Sequence, residues 1–88
     1  MKHAVAHEAS KLTEGLMLIS SINGDYYARH NYSGIFDDLI VEVCKREYHD
    51  HKIVISRTIN LNSDDAHKEI AEVMKELEPI ITEVSGNG

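Results

Sequence analysis

The runs Leu39-Ile40-Val41-Glu42-Val43-Cys44 and Ile53-Val54-Ile55-Ser56-Arg57-Thr58-Ile59-Asn60-Leu61 decide the fold. In the first, Leu39, Val41 and Val43 alternate with Ile40, Glu42 and Cys44. In the second, Ile53, Ile55, Ile59 and Leu61 alternate with Val54, Ser56, Thr58 and Asn60. A period of two belongs to half-buried strands, so the two runs predict an antiparallel hairpin. Matching their apolar faces requires an odd-numbered loop, because a one-residue slip turns one strand's core set to solvent. The three residues His49-Asp50-His51 satisfy this and set Val43 opposite Arg57.

Helical periodicity flanks the hairpin on both sides. Val5, Ala9, Leu12, Leu16, Ile19 and Ile22 recur at steps of four and three. Asn23-Gly24 follows as a stop signal, since both residues tolerate the left-handed conformation. The continuous stripe outweighs the rival reading of residues 16–32 as a hairpin about Asn23-Gly24. Gly15 costs this helix about 1 kcal/mol relative to alanine and marks close packing. A last helix is expected from Ser63, with Asp64 and Asp65 at its positive end. Its buried stripe is Ile70, Val73, Leu77, Ile81 and Val84, and Pro79 inside the run is expected to kink or interrupt it.

The order helix, strand, strand, helix describes one α+β domain over residues 1–85, with 86–88 a frayed C-terminal tail. A two-stranded sheet is marginal alone and leaves two open edges. Lys45-Arg46-Glu47 discourages pairing of the first strand, whereas Ile53 to Leu61 is interrupted only by Arg57 and Asn60. Self-pairing of the second strand across a two-fold axis, completing a four-stranded sheet in a homodimer, is the expected remedy.

Composition bounds the function. The 88 residues, 42% apolar and 27% charged with one proline, describe a globular chain with a small core. No stretch approaches the ~20 apolar residues of a membrane span. Met1-Lys2-His3-Ala4 carries no secretory apolar block. One cysteine, Cys44, allows no internal disulfide and no zinc site built on cysteine alone. A reducing, cytoplasmic setting is therefore expected. Fifteen acids against nine bases give a net charge of −6, of which residues 63–88 carry −5. That balance argues against nucleic acid as a direct partner, because phosphate binding needs a basic stripe.

Catalytic and metal motifs are weak. His3 and His7 lie at i, i+4, and His49 and His51 flank Asp50, but surface histidines on a helix end and a turn account for both pairs. No nuclease pattern is completed: the second strand reads Ile55-Ser56-Arg57-Thr58, without acid or lysine, and Arg29-His30 are adjacent and diverge. The glycines form no phosphate-binding loop. Cys44 falls on the outer strand face beside Glu42 and Arg46, with no base to activate it, and reads as structural. No cofactor or metal is implied.

Two features remain. Arg57 projects to the same side as Ile53, Ile55, Ile59 and Leu61, so it is paired, reaching to solvent, or at an interface. The segment Asp25-Tyr26-Tyr27-Ala28-Arg29-His30-Asn31-Tyr32-Ser33-Gly34-Ile35-Phe36 holds four of the five aromatic residues and shows neither period. Tyrosine mixed with Arg, Asn, Ser and Gly is the composition of recognition loops. It equally describes a loop folded over the core, with Phe36 and one tyrosine as plugs. The reading that follows is a small, acidic, non-enzymatic protein-binding inhibitor or adaptor. Its expected binding residues are Tyr26, Tyr27, Arg29, His30, Tyr32 and Arg57. A small-ligand or nucleotide binder with its site at a dimer interface is the alternative, and a minimal metal-dependent enzyme the second.

Overall fold

In the computed structural model, residues 2–21, 24–47 and 50–86 are described. Helix α1 spans His3–Ser21, and its stripe Val5, Ala9, Leu12, Leu16 and Ile19 is buried as the periodicity requires. Ile22 and Asn23 lie outside the described residues. Helix α2 spans Ala66–Gly86. The turn before it is closed by Ser63, whose hydroxyl accepts from Asp65 N–H and whose carbonyl accepts from Ala66 N–H, both at 3.1 Å. Asp65 then caps the helix through its carbonyl, which accepts from Glu69 N–H at 2.9 Å.

Ala66, Ile70, Val73 and Leu77 are buried and Ile81 half-buried; the side chain of Val84 lies outside the described set. The helix runs unbroken through Pro79, correcting the interruption expected there. Pro79 is exposed, on the side of the helix away from the core. The helix packs closely on both sides of Pro79: a Cβ built on Gly15 of α1 would meet Ile81 Cδ1 at 3.6 Å and Leu77 Cδ1 at 3.9 Å.

Three strands, not two, form the sheet. They are β1 (Tyr26–Ser33), β2 (Asp38–Glu47) and β3 (Asp50–Asn60), in the antiparallel order β1-β2-β3. The segment expected as an irregular loop is thus mostly strand. Tyr26, Ala28, His30 and Tyr32 alternate with Tyr27, Arg29, Asn31 and Ser33, and only Tyr27 outward and His30 inward obscure the period. β2 is therefore central, and Lys45 and Arg46 do not guard an edge. Each chain supplies three strands, so edge pairing of two copies would give six rather than four.

The β2–β3 register also differs from expectation. Val43 opposes Ile55, and Arg57 opposes Val41. Glu47 pairs with Asp50, which leaves an even connection of two residues, Tyr48 and His49, both outside the described set. Parity is restored by a bulge: Val43 pairs with Ile55 and Cys44 with Ile53, so Val54 is the extra residue. Ile55, Ile59 and Leu61 keep the core side with Leu39, Val41 and Val43. Ile53 does not; the bulge turns it to the outer face, where it is exposed.

Both helices pack on one face of the sheet around a single core, and the other face is uncovered by any described element. The free edge of β1 is capped at Ala28, whose N–H donates to the Ser20 hydroxyl while that hydroxyl donates back to the Ala28 carbonyl, both at 2.8 Å. Deletion of Val54 is expected to leave a regular ladder with unchanged faces and a denaturant midpoint near that of the wild type. A loss of more than about 3 kcal/mol would show that Val54 is needed to keep the strands in phase.

Candidate functional site

The uncovered face of the sheet carries three rows of side chains. Tyr27 on β1 pairs with Cys44 on β2, and Cys44 with Ile53 on β3; two rungs on, on the same face, Arg46 pairs with His51. Cross-strand neighbours on one face touch. The Tyr27 hydroxyl shares a hydrogen bond with His51 Nδ1 at 2.9 Å, with the rings edge to face at 5.4 Å between centroids. The Arg46 guanidinium lies 5.1 Å from the centre of the Tyr27 ring and donates to the Gly24 carbonyl at 3.2 Å. Farther along, Arg29 Nε contacts Glu42 Oε1 at 3.0 Å, and the Cys44 thiol donates to the same oxygen at 3.6 Å.

Tyr27 is therefore held by His51 and Arg46 and faced by Cys44. Its phenol is held above the ordinary tyrosine value, chiefly by the neighbouring Cys44 thiol and then by desolvation. Cys44 is 3% exposed even though it points to the uncovered side, because Tyr27 and Ile53 flank it across the strands. Ile40 and Ile53 remain exposed beside this cluster.

The other expected binding residues are not gathered with it. Tyr26 faces the helices, packs against the core and donates to Glu83 Oε2 at 3.1 Å. Its phenol is raised first by desolvation and then by Glu83. His30 is exposed on β1. Tyr32 lies at the far end of β1, where its hydroxyl donates to Asp37 Oδ1 at 2.6 Å. Arg57 is on the opposite strand and on the helix side, paired with Glu76 Oε1 of α2 at 2.5 Å. Both partners are partly exposed, so the pair is a surface tie and not a buried one. Arg57 also feels Glu72 and Glu69, after Glu76, and its guanidinium is pushed further up by all three.

The β1–β2 turn, residues 34–37, overturns the plug reading of Phe36. Ile35 is 89% and Phe36 69% exposed. Sequence reasoning missed this tip, and it missed Glu42, Arg46, His51 and Ile53 as neighbours of Tyr27. The tip had a signal, two large apolar residues in a turn where polar ones are usual. The face had none until the bulge was known.

Among the described residues no group of three or more His, Cys, Asp or Glu side chains converges as a metal site. His3 and His7 are exposed on α1, His51 is engaged by Tyr27, and His49 lies outside the described set. Among the described residues no helix is long and apolar enough to cross a membrane. Comparison with protein-family models, curated proteins and solved structures returns no match. The functional reading therefore rests on the geometry of the chain.

The Tyr32–Asp37 bond has a pH signature. It holds the Asp37 carboxyl below its ordinary value. A carboxyl depressed by folding adds stability above its unfolded value, about 3.9, and loses it as pH falls through the folded value. The Tm difference between wild type and Tyr32→Phe is thus expected to be constant from about pH 7 to 5 and to shrink below about pH 4. An unchanged difference at about pH 2 would show that the hydroxyl does not act through the carboxylate.

Proposed function

We propose that the chain is a small non-enzymatic binding protein, an inhibitor or adaptor, that recognises a protein partner through the uncovered face of its sheet and works as a homodimer. The observation that carries this reading is the immobilised Tyr27. An aromatic ring already held by His51 and Arg46, with Cys44 opposite it across the strands, loses little entropy on meeting a partner, and Tyr and Arg dominate interface hot spots.

The surroundings suit the same role. Ile40 and Ile53 supply exposed apolar area, and Arg29 is oriented by Glu42. Arg29 and Arg46 balance Glu42 and Asp38 on this face, in a chain whose net charge is −6. Contact area and shape, more than charge, then select the partner, in keeping with a protein surface and not a polyphosphate. The free thiol of Cys44 supports a reducing, cytoplasmic setting.

The test is affinity measured beside stability. A partner is first identified by cross-linking and affinity capture, and single alanine variants are then titrated against it. Tyr27→Ala is expected to weaken binding by roughly thirtyfold or more while the chain stays folded. Arg29→Ala is expected to weaken it less. Tyr26→Ala, on the helix side, is expected to lower Tm and to leave affinity intact wherever the chain is folded. Normal binding by folded Tyr27→Ala removes the sheet face from the reading.

A further inference from the structure

The β1–β2 turn is built to hold an apolar tip in place. Between the Ser33–Asp38 rung and the tip, Asp37 takes a left-handed backbone, φ 55°. That conformation is uncommon outside glycine and persists where surroundings enforce it. Here they do: the Asp37 side chain accepts from Tyr32, and its carbonyl accepts from Leu61 N–H at 2.8 Å. The turn is anchored to β1 on one side and to the end of β3 on the other. What it presents is Ile35 and Phe36, the two most exposed large apolar residues described. Both stand largely in solvent, outside the core.

Beside the tip lies an open, mainly apolar groove of about 250 Å³, lined by Ala6, Ala9, Ser10 and Thr13 of α1 and by Tyr32, Leu39 and Leu61. A phenyl ring fits such a space, since an apolar cavity of roughly 150 Å³ already holds benzene. Tip and groove share one end of the molecule, because Tyr32 and Leu39 flank the turn. A closed two-fold contact requires such an arrangement, with both complementary features on one surface.

Charge agrees. Residues 2–11 of this acidic chain carry Lys2 and Lys11 against Glu8 alone, with His3 and His7 between them, whereas Asp38 flanks the turn. The β3 edge is less suited to self-association: Val54 breaks its ladder, and pairing there would bring two Glu69-Glu72-Glu76 stripes together.

We propose that a second copy of the chain docks at this end, with the Ile35–Phe36 tip of each copy in the α1–β1 groove of the other. The contact specifies the homodimer of the preceding section and rests on that part of it. It leaves both sheet faces free, so the dimer presents two Tyr27 surfaces and binds a repeated partner with avidity.

Sedimentation velocity over micromolar concentrations tests the contact. The wild type is expected to dimerise. Phe36→Ser, Ile35→Ser and the groove-lining variant Ser10→Arg alter exposed positions, so each is expected to keep the wild-type Tm and to raise the dimer Kd by at least about tenfold. Mixing Phe36→Ser with Ser10→Arg restores one intact tip-and-groove contact, and the mixture is expected to associate more tightly than either variant alone. A wild type that stays monomeric overturns both this contact and the homodimer. A wild-type dimer undiminished by folded Phe36→Ser and Ser10→Arg overturns the contact only, and leaves the homodimer and the Tyr27 surface standing.

Discussion

Side chains alternate along a strand, so a hairpin that buries one face of both partners has no freedom of phase. This constraint governs the molecule. Leu39, Val41 and Val43 must share a side with Ile55 and Ile59, yet Glu47 and Asp50 are joined through an even connection that puts the strands out of phase. Val54 absorbs the error. One unpaired residue costs a ladder bond and an exposed apolar side chain, whereas misphasing would expose the core of a strand. The second cost is far larger at roughly 25 cal/mol per Å² of apolar surface.

The bulge also decides what lies outside. Because the phase changes at Val54, Ile53 leaves the core side and comes beside Cys44, and His51 comes within reach of Tyr27. The uncovered face is then a packed polar-aromatic cluster in place of a plain solvated one. Its neighbours protect Cys44, and the thiol in turn faces the tyrosine across the strands. A structural correction inside the hairpin thus assembles the surface on which recognition is proposed.

The helices were legible because their signal is local. Five buried positions of α1 and three of α2 follow from steps of three and four alone. The core sides of β2 and of β3 beyond the bulge were legible for the same reason, down to the side of the sheet that Arg57 takes, while Ile53 before the bulge was placed on the wrong side. β1 was not, since Tyr27 outward and His30 inward each break a two-residue period over only eight positions. Its partners lie up to nineteen residues away, so nothing local distinguishes it from a tyrosine-rich loop. Register was hidden for a related reason. A bulge and an even turn together mimic an odd turn, and local alternation cannot separate the two. The site residues inherited both errors, which is why Tyr27 and Arg29 stand together while Arg57 belongs to the other side of the molecule.

Charge is distributed by layer. The acids concentrate on α2, where Arg57 of β3 faces Glu76, Glu72 and Glu69 and neutralises only part of the stripe. The outer sheet face is balanced, and the start of α1 is mildly basic. An acidic flank repels other copies of itself, and a strand edge beside it is thereby shielded without being covered. The same shielding does not extend to the turn at the opposite edge of the sheet, where Ile35 and Phe36 carry no charge and Asp37 points inward to Tyr32. In a chain this small, surface that contributes nothing to its own core is expensive to retain. Where like charges oppose contact and where apolar side chains stand exposed are therefore distinct places on the molecule, and that separation is what the proposed contact needs if the Tyr27 face is to stay open.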